Sequence, residues 1–231
     1  MDNVLIIIPT YNEKNNIVPL INQLLELKVN LLIVDDNSPD ETYFEVEKYF
    51  GSNNKVNTLK RATKQGLGSA YRDGFKWGLN NNYEYFVEMD ADFSHQVEDL
   101  KVLLLEKTKK NVVIGSRYIN QGKVVGWSRR RRLLSKYANK FAGIATRTEI
   151  SDMTSGFRIY SRHSLEELGY SKTKNNGYAF QIEMTVCAIK KKIEVTEVPI
   201  TFIEREVGKS KMNFRIIIEA LMYLLTYRSK N

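Results

Sequence analysis

Val4-Leu5-Ile6-Ile7-Ile8-Pro9-Thr10-Tyr11-Asn12-Glu13 is the stretch that decides the fold. Five apolar residues in a row, with no polar alternation, suit a strand buried on both faces, as in parallel sheets covered by helices. A polar cluster follows at once. Ile17, Leu20, Ile21, Leu24 and Leu25 then recur at helical spacing. Residues 31–34 repeat the apolar run and end on Asp35-Asp36. Ser38-Pro39-Asp40-Glu41 reads as a helix start, with Ser38 as N-cap. Residues 56–59, 85–89 and 112–114 read as further strands, and Ala70, Phe75, Trp77, Leu79 and residues 100–105 as further helices. Strands alternating with helices predict an α/β domain with a mostly parallel central sheet flanked by helices. Ligands of such sheets lie beyond the carboxyl ends of the strands. The polar clusters at residues 10–13, 35–38 and 90–95 all fall there.

The 231 residues form one continuous pattern, with no repeat and no linker, and so predict a single domain. Cys187 is the lone cysteine, and His95 and His163 are the two histidines, which excludes a disulfide framework and argues against zinc. Lys and Arg number 35 against 27 Asp and Glu, a net charge of +8 that favours an anionic partner. The N-terminus lacks the basic start of a signal peptide. No segment has the roughly 18 uncharged apolar residues of a membrane span.

Asp90-Ala91-Asp92 at a strand end is the leading chemical candidate. Two carboxylates on alternate residues of an extended loop can share one divalent cation, with Ser94 two residues on. Asp35-Asp36 can meet a ribose or base edge, or serve in capping; both readings stand. Gly66-Leu67-Gly68 lacks the third glycine of a dinucleotide fingerprint and reads as a tight turn into a helix. From Arg129 to Thr146, Arg132, Lys136 and Lys140 recur beside a stripe of Leu133, Tyr137, Phe141 and Ile144. That suits a helix in an anionic membrane interface, or a core helix with a solvated edge. No nucleic-acid-binding motif accompanies it. Residues 213–227 are apolar almost all round and form the second interface candidate. Arg205 and Lys211 flank Gly208 and suit a diphosphate clamp or an ordinary solvated loop.

Together these stretches resemble glycosyltransferase family 2, and within it the dolichol-phosphate (polyprenol-phosphate) mannose synthases. The resemblance is carried by Ile8-Pro-Thr-Tyr-Asn-Glu13, Val34-Asp-Asp-Asn-Ser-Pro-Asp40, Gly66-Leu-Gly68 with Gly74, and Met89-Asp-Ala-Asp-Phe-Ser-His95. Gly115-Ser-Arg-Tyr118, Asp152-Met-Thr-Ser-Gly-Phe-Arg158, Glu197-Val-Pro-Ile200 and Arg205…Gly208-x-Ser-Lys211 complete it. It implies a GT-A (Rossmann-like) fold and transfer of mannose from GDP-mannose to dolichyl or polyprenyl phosphate with inversion, for glycosylation pathways. It also implies a divalent cofactor, Mg2+ or Mn2+. By the same resemblance Pro9, Tyr11 and Glu13 border the nucleotide, Asp36 lies near its base, and Asp90 and Asp92 hold the metal with Ser94 third. Arg117, Arg131 and Ser135 meet the acceptor phosphate, and Arg205 and Lys211 hold the donor diphosphate. The sequence ends at Asn231 and so resembles the short form that relies on small membrane subunits. The expected place is peripheral, on the cytoplasmic face of the endoplasmic reticulum in a eukaryote or of the cell membrane in a prokaryote. A polyprenyl-phosphate glucosyltransferase using UDP-glucose, and a non-catalytic nucleotide-binding subunit, are the alternatives.

Overall fold

A computed structural model describes residues 3–177 and 179–205. Strands β1 (Val4–Thr10), β2 (Asn30–Asp35), β3 (Val56–Lys60) and β4 (Tyr85–Glu88) alternate with helices α1 (Lys14–Leu25), α2 (Thr42–Phe50) and α3 (Leu67–Asn80). Then come α4 (Val97–Glu106), β5 (Asn111–Ser116), β6 (Lys123–Val125), α5 (Arg129–Thr146), β7 (Arg158–Ser161), α6 (Arg162–Leu168), α7 (Ala179–Lys190), β8 (Glu194–Pro199) and β9 (Thr201–Ile203). The main sheet runs β3-β2-β1-β4-β7-β5-β8, and β6 pairs with β9 in a small parallel ladder. Among the described strands only β7 is antiparallel to its neighbours, β4 and β5. The mostly parallel sheet flanked by helices agrees with the expectation; the antiparallel insertion of β7 was not part of it.

The apolar run of β1 explains the layering. Val4, Ile6 and Ile8 belong to one core with α1, α2 and α4, while Leu5 and Ile7 face a second core with α3 and α7. Side chains alternate between faces, so both covers of the sheet are written into one pentapeptide. On α3, an added Cβ at Gly74 would come within 2.6 Å of Ile7, and one at Gly78 within 2.6 Å of Leu5 and Phe86. These glycines let the helix backbone lie close to β1. The chain leaves β1 toward β2 and β3, then returns through α3 to β4 on the other side of β1. The crevice opens at that reversal, beyond the strand ends.

One local expectation needs correction. Ser38 does not cap α2: its hydroxyl donates to Asp35 Oδ2 at 2.6 Å and accepts from Asn12 N at 3.1 Å. The helix begins at Thr42, whose N–H and hydroxyl donate to Asp40 Oδ1 at 3.1 and 2.6 Å. Ser38 and Asp40 are spent on holding the 10–14 loop against β2. Helix α5 spans 129–146, with Ser135, Asn139 and Thr146 buried and Leu133, Leu134, Tyr137, Phe141 and Ile144 exposed, so its apolar stripe is not part of the core. Among the described residues no helix is long and apolar enough to cross a membrane. Lys211 and the 213–227 segment lie outside the described residues.

Candidate functional site

Three clusters meet along the carboxyl edge of the sheet. The first joins the ends of β1 and β2. Asp35 is fully buried and accepts from Thr10 Oγ1 at 2.9 Å and from Ser38. Asp36 accepts from Arg61 Nη1 at 2.7 Å and from the backbone N–H groups of Gln65 and Gly66. Asp36 thereby ties β2 to the Gly66 turn, where φ is +94°. Arg61, which the sequence reading passed over, also reaches Asp73 at 3.1 Å. Its signal was its place one residue beyond β3, level with Asp36. Pro9 and Tyr11 are half-buried at the mouth, and the Lys64 ammonium lies 3.5 Å over the Tyr11 ring. Glu13 binds Thr42 Oγ1 through its backbone N–H at 3.0 Å.

The second cluster follows β4. Asp92 is buried; its Oδ1 accepts from Ser94 N at 3.1 Å and its Oδ2 meets Arg205 Nη2 at 3.0 Å. Ser94 Oγ is buried with no hydrogen-bond partner among the described residues. Asp90 is half-exposed beside it, and its N–H donates to His95 Nδ1 at 3.2 Å. That bond leaves the proton of a neutral imidazole on Nε2. Burial drives the His95 pKa down to about 4, outweighing the pull of Asp92 toward charge, so the ring is neutral. The ring stacks on Phe157 at 4.6 Å. No group of three or more His, Cys, Asp or Glu among the described residues is placed to hold a metal. Two carboxylates, an orphaned buried hydroxyl and an arginine already neutralising one carboxylate do fit a divalent ion completed by phosphate oxygens.

The third cluster follows β5. Arg117 donates to Asp152 from its backbone N–H at 3.0 Å and from Nε and Nη2 at 2.7 Å each, and to Thr154 Oγ1 at 2.8 Å. Burial alone would raise the Asp152 carboxyl; the charge and hydrogen bonds of Arg117 outweigh it and hold the group below the usual range. Thr154 also accepts from Asn139 Nδ2 at 3.0 Å, and Tyr118 donates to Ser135 Oγ at 2.7 Å. This network is why α5 turns its polar face inward. Arg131 reaches Glu204 at 2.5 Å and lies 4.1 Å over the Trp127 ring. Arg117 lies 5.7 Å over the same ring and 5.4 Å over Phe202.

The structure thus brings Asp90, Asp92, Ser94 and Arg205 together, and separately Arg117, Arg131 and Ser135. Phe202 links the two groups, since it also packs edge-on against His95 at 5.8 Å. Sequence reasoning assigned no role to Asp152, Trp127, Phe202 or Glu204. Asp152 was visible inside a quoted motif; Phe202 and Glu204 carried no signal without the β6–β9 ladder.

Comparison with known proteins identifies the family of the chain. Over 221 residues the chain is 43% identical to a polyprenol monophosphomannose synthase of Mycolicibacterium smegmatis, covering 94% of this chain and 83% of that protein. It is 39% identical to an undecaprenyl-phosphate mannosyltransferase of Micrococcus luteus, with 95% and 91% covered. Among solved structures, a mannosyltransferase from Pyrobaculum calidifontis in complex with GDP-Man and Mn2+ superposes with a TM-score of 0.65 at 17% identity, covering 99% of this chain and 64% of the other. That likeness is one of fold, the GT-A arrangement. Residues 5–169, well over half of the chain, match the description "Glycosyl transferase family 2", and with the two mannosyltransferase relatives this establishes that the chain belongs to that family.

Proposed function

We propose that this protein transfers mannose from GDP-mannose to a polyprenyl phosphate, with inversion at C1. The observation that carries the reading is the high identity, over nearly the whole chain, to two mannosyltransferases acting on polyprenol carriers. Asp90 and Asp92, with Ser94, would hold a divalent cation, Mg2+ or Mn2+, which would offset the charge of the donor diphosphate. Pro9, Tyr11, Glu13 and Asp36 would frame the nucleotide, and Arg205 and Lys211 would draw the diphosphate. Arg117, Arg131 and Ser135 would receive the acceptor phosphate.

The chemistry asks little of a general base. A phosphate monoester has its second pKa near 6 and is largely dianionic at neutral pH. One of its oxygens attacks C1 as the bond from C1 to the diphosphate breaks, and the leaving group departs with that electron pair. The task of the protein is to hold two polyanions in line against their repulsion. Neutral His95, hydrogen-bonded to the Asp90 N–H, serves by fixing the shape of the Asp90–Ser94 turn.

The acceptor resides in a bilayer, and the exposed Leu133, Leu134, Tyr137, Phe141 and Ile144 of α5, beside Arg129, Arg130 and Arg132, suit a helix resting in an anionic interface. The protein is read as peripheral on the cytoplasmic face of its membrane, with small membrane subunits as candidate anchors. The decisive test is transfer of radiolabelled sugar to polyprenyl phosphate by purified protein, comparing GDP-mannose with UDP-glucose, with and without chelator. Transfer from UDP-glucose alone would replace the reading.

A further inference from the structure

Glu204 and Arg205 are consecutive residues that leave β9 and make two ion pairs of opposite sense. Glu204 Oε1 meets Arg131 Nη1 at 2.5 Å, and Arg205 Nη2 meets Asp92 Oδ2 at 3.0 Å. Neighbouring side chains on an extended chain point to opposite sides. The dipeptide therefore reaches from the cluster after β4 to the cluster after β5. Its backbone is anchored just before this point. Ile203 N donates to Ser94 O at 3.2 Å, and Glu204 N donates to Val125 O at 2.9 Å. Glu204 also lies flat on the β6 end, where an added Cβ at Gly126 would come within 2.7 Å of its own Cβ.

We propose that Glu204 is a positioning residue that couples the two substrate sites by charge exchange. Resting on the assignments of Asp92 to the cation and Arg131 to the acceptor phosphate, each half of the dipeptide occupies a place that a ligand of like charge takes in the working complex. The Arg205 guanidinium holds Asp92 where the divalent ion belongs, and the Glu204 carboxylate holds Arg131 where the phosphate belongs. Arrival of cation and donor frees Arg205 toward the diphosphate. Because the next residue back is Glu204, that swing also loosens Glu204 from Arg131 and opens the acceptor site. Before the donor arrives, Glu204 competes with phosphate for Arg131. The exchange favours an order, donor first, and protects the paired Asp92 and Arg131 from leaving a charge uncompensated in a half-buried site.

The test uses calorimetry on the full chain, with farnesyl phosphate as the phosphate probe, in the presence and absence of GDP and Mn2+. In the wild type, GDP and Mn2+ should tighten probe binding by about fivefold, the lower end of ordinary coupling between sites. Glu204→Gln should bind the probe about fivefold tighter without GDP and Mn2+, and show little further gain with them. Glu204→Asp, which keeps the charge on a shorter arm, should retain part of the coupling. Glu98→Gln, the same charge change on the α4 surface, should behave as wild type. In steady state Glu204→Gln should lower KM for the acceptor with kcat little changed. Equal gains from GDP and Mn2+ in wild type and Glu204→Gln, or a Glu98→Gln effect as large as that of Glu204→Gln, would overturn the exchange. Failure of mannosyl transfer in the wild type is read in a separate assay and would overturn the functional reading instead.

Discussion

Arg117 holds Asp152 by three hydrogen bonds of 2.7–3.0 Å, and the carboxylate it holds is wholly buried. The pair closes the loop before β7 onto the end of β5. Removing one partner strands the other's charge, which costs about 3–5 kcal/mol. Asp152→Ala should therefore melt roughly 10 °C below wild type, at about 2–4 °C per kcal/mol for a chain of this size. Calorimetric melting of the two proteins checks this, and Asp152→Asn should lose less.

The same pair sets an acid dependence. The Asp152 carboxyl has a lower pKa folded than unfolded, so its contribution is full above the unfolded value near 4 and fades as pH falls through the folded value. Wild-type melting temperature should drop below about pH 4 more steeply than that of Asp152→Asn. Parallel curves would count against the assignment.

Glu88 gives the opposite sign. It is fully buried on β4, and burial lifts its pKa to about 8 despite Arg158 and a 2.8 Å hydrogen bond from Gln181 Nε2. The oxygens Glu88 Oε1 and Gln181 Oε1 are both buried without a partner among the described residues, as suits a carboxyl that keeps its proton. Its stabilising effect is full below pH 4.5 and is lost as pH climbs toward 8. Glu88→Gln, measured in chelator, should match wild type near pH 5 and melt several degrees higher at pH 9.

Asp92→Asn should keep its fold by circular dichroism and lose about 100-fold or more in turnover, with weakened Mn2+ binding. Retention of full rate by this variant, or by wild type in chelator, would remove the cation from the reaction.

Arg131→Ala should raise the KM for polyprenyl phosphate about tenfold and leave that for GDP-mannose within twofold, as expected for loss of one charge-assisted contact. Equal changes for both substrates would show that Arg131 serves the donor as well.

Much of this was legible in the sequence. The doubly buried strands and the acidic strand ends carry their own physics: apolar runs need two covers, and carboxylates gather where a parallel sheet leaves a crevice. The α2 start departs from the local rule because Ser38 and Asp40 accept N–H groups of Asn12 and Lys14 from the loop after β1, partners 26 residues away that no local rule anticipates. β7 was missed because four residues, Arg158–Ser161, are too few for a period, and its first residue is a buried arginine. Arg158 donates to Ser155 O, Thr185 Oγ1 and Met153 O, partners that exist only once the chain has folded. Glu204 looked like an ordinary loop acid for the same reason.

The antiparallel course of β7 has a geometric consequence. Wedged between β4 and β5, it separates the Asp90–Asp92 turn from the Ser116-Arg117 turn by two interstrand steps, about 10 Å in all. Because it runs backwards, it presents its start at that edge, so the 152–157 segment enters between the two turns. β7 is in effect a gauge block. It sets the spacing between the two turns, and a fold with β4 and β5 directly paired would hold them only one step apart.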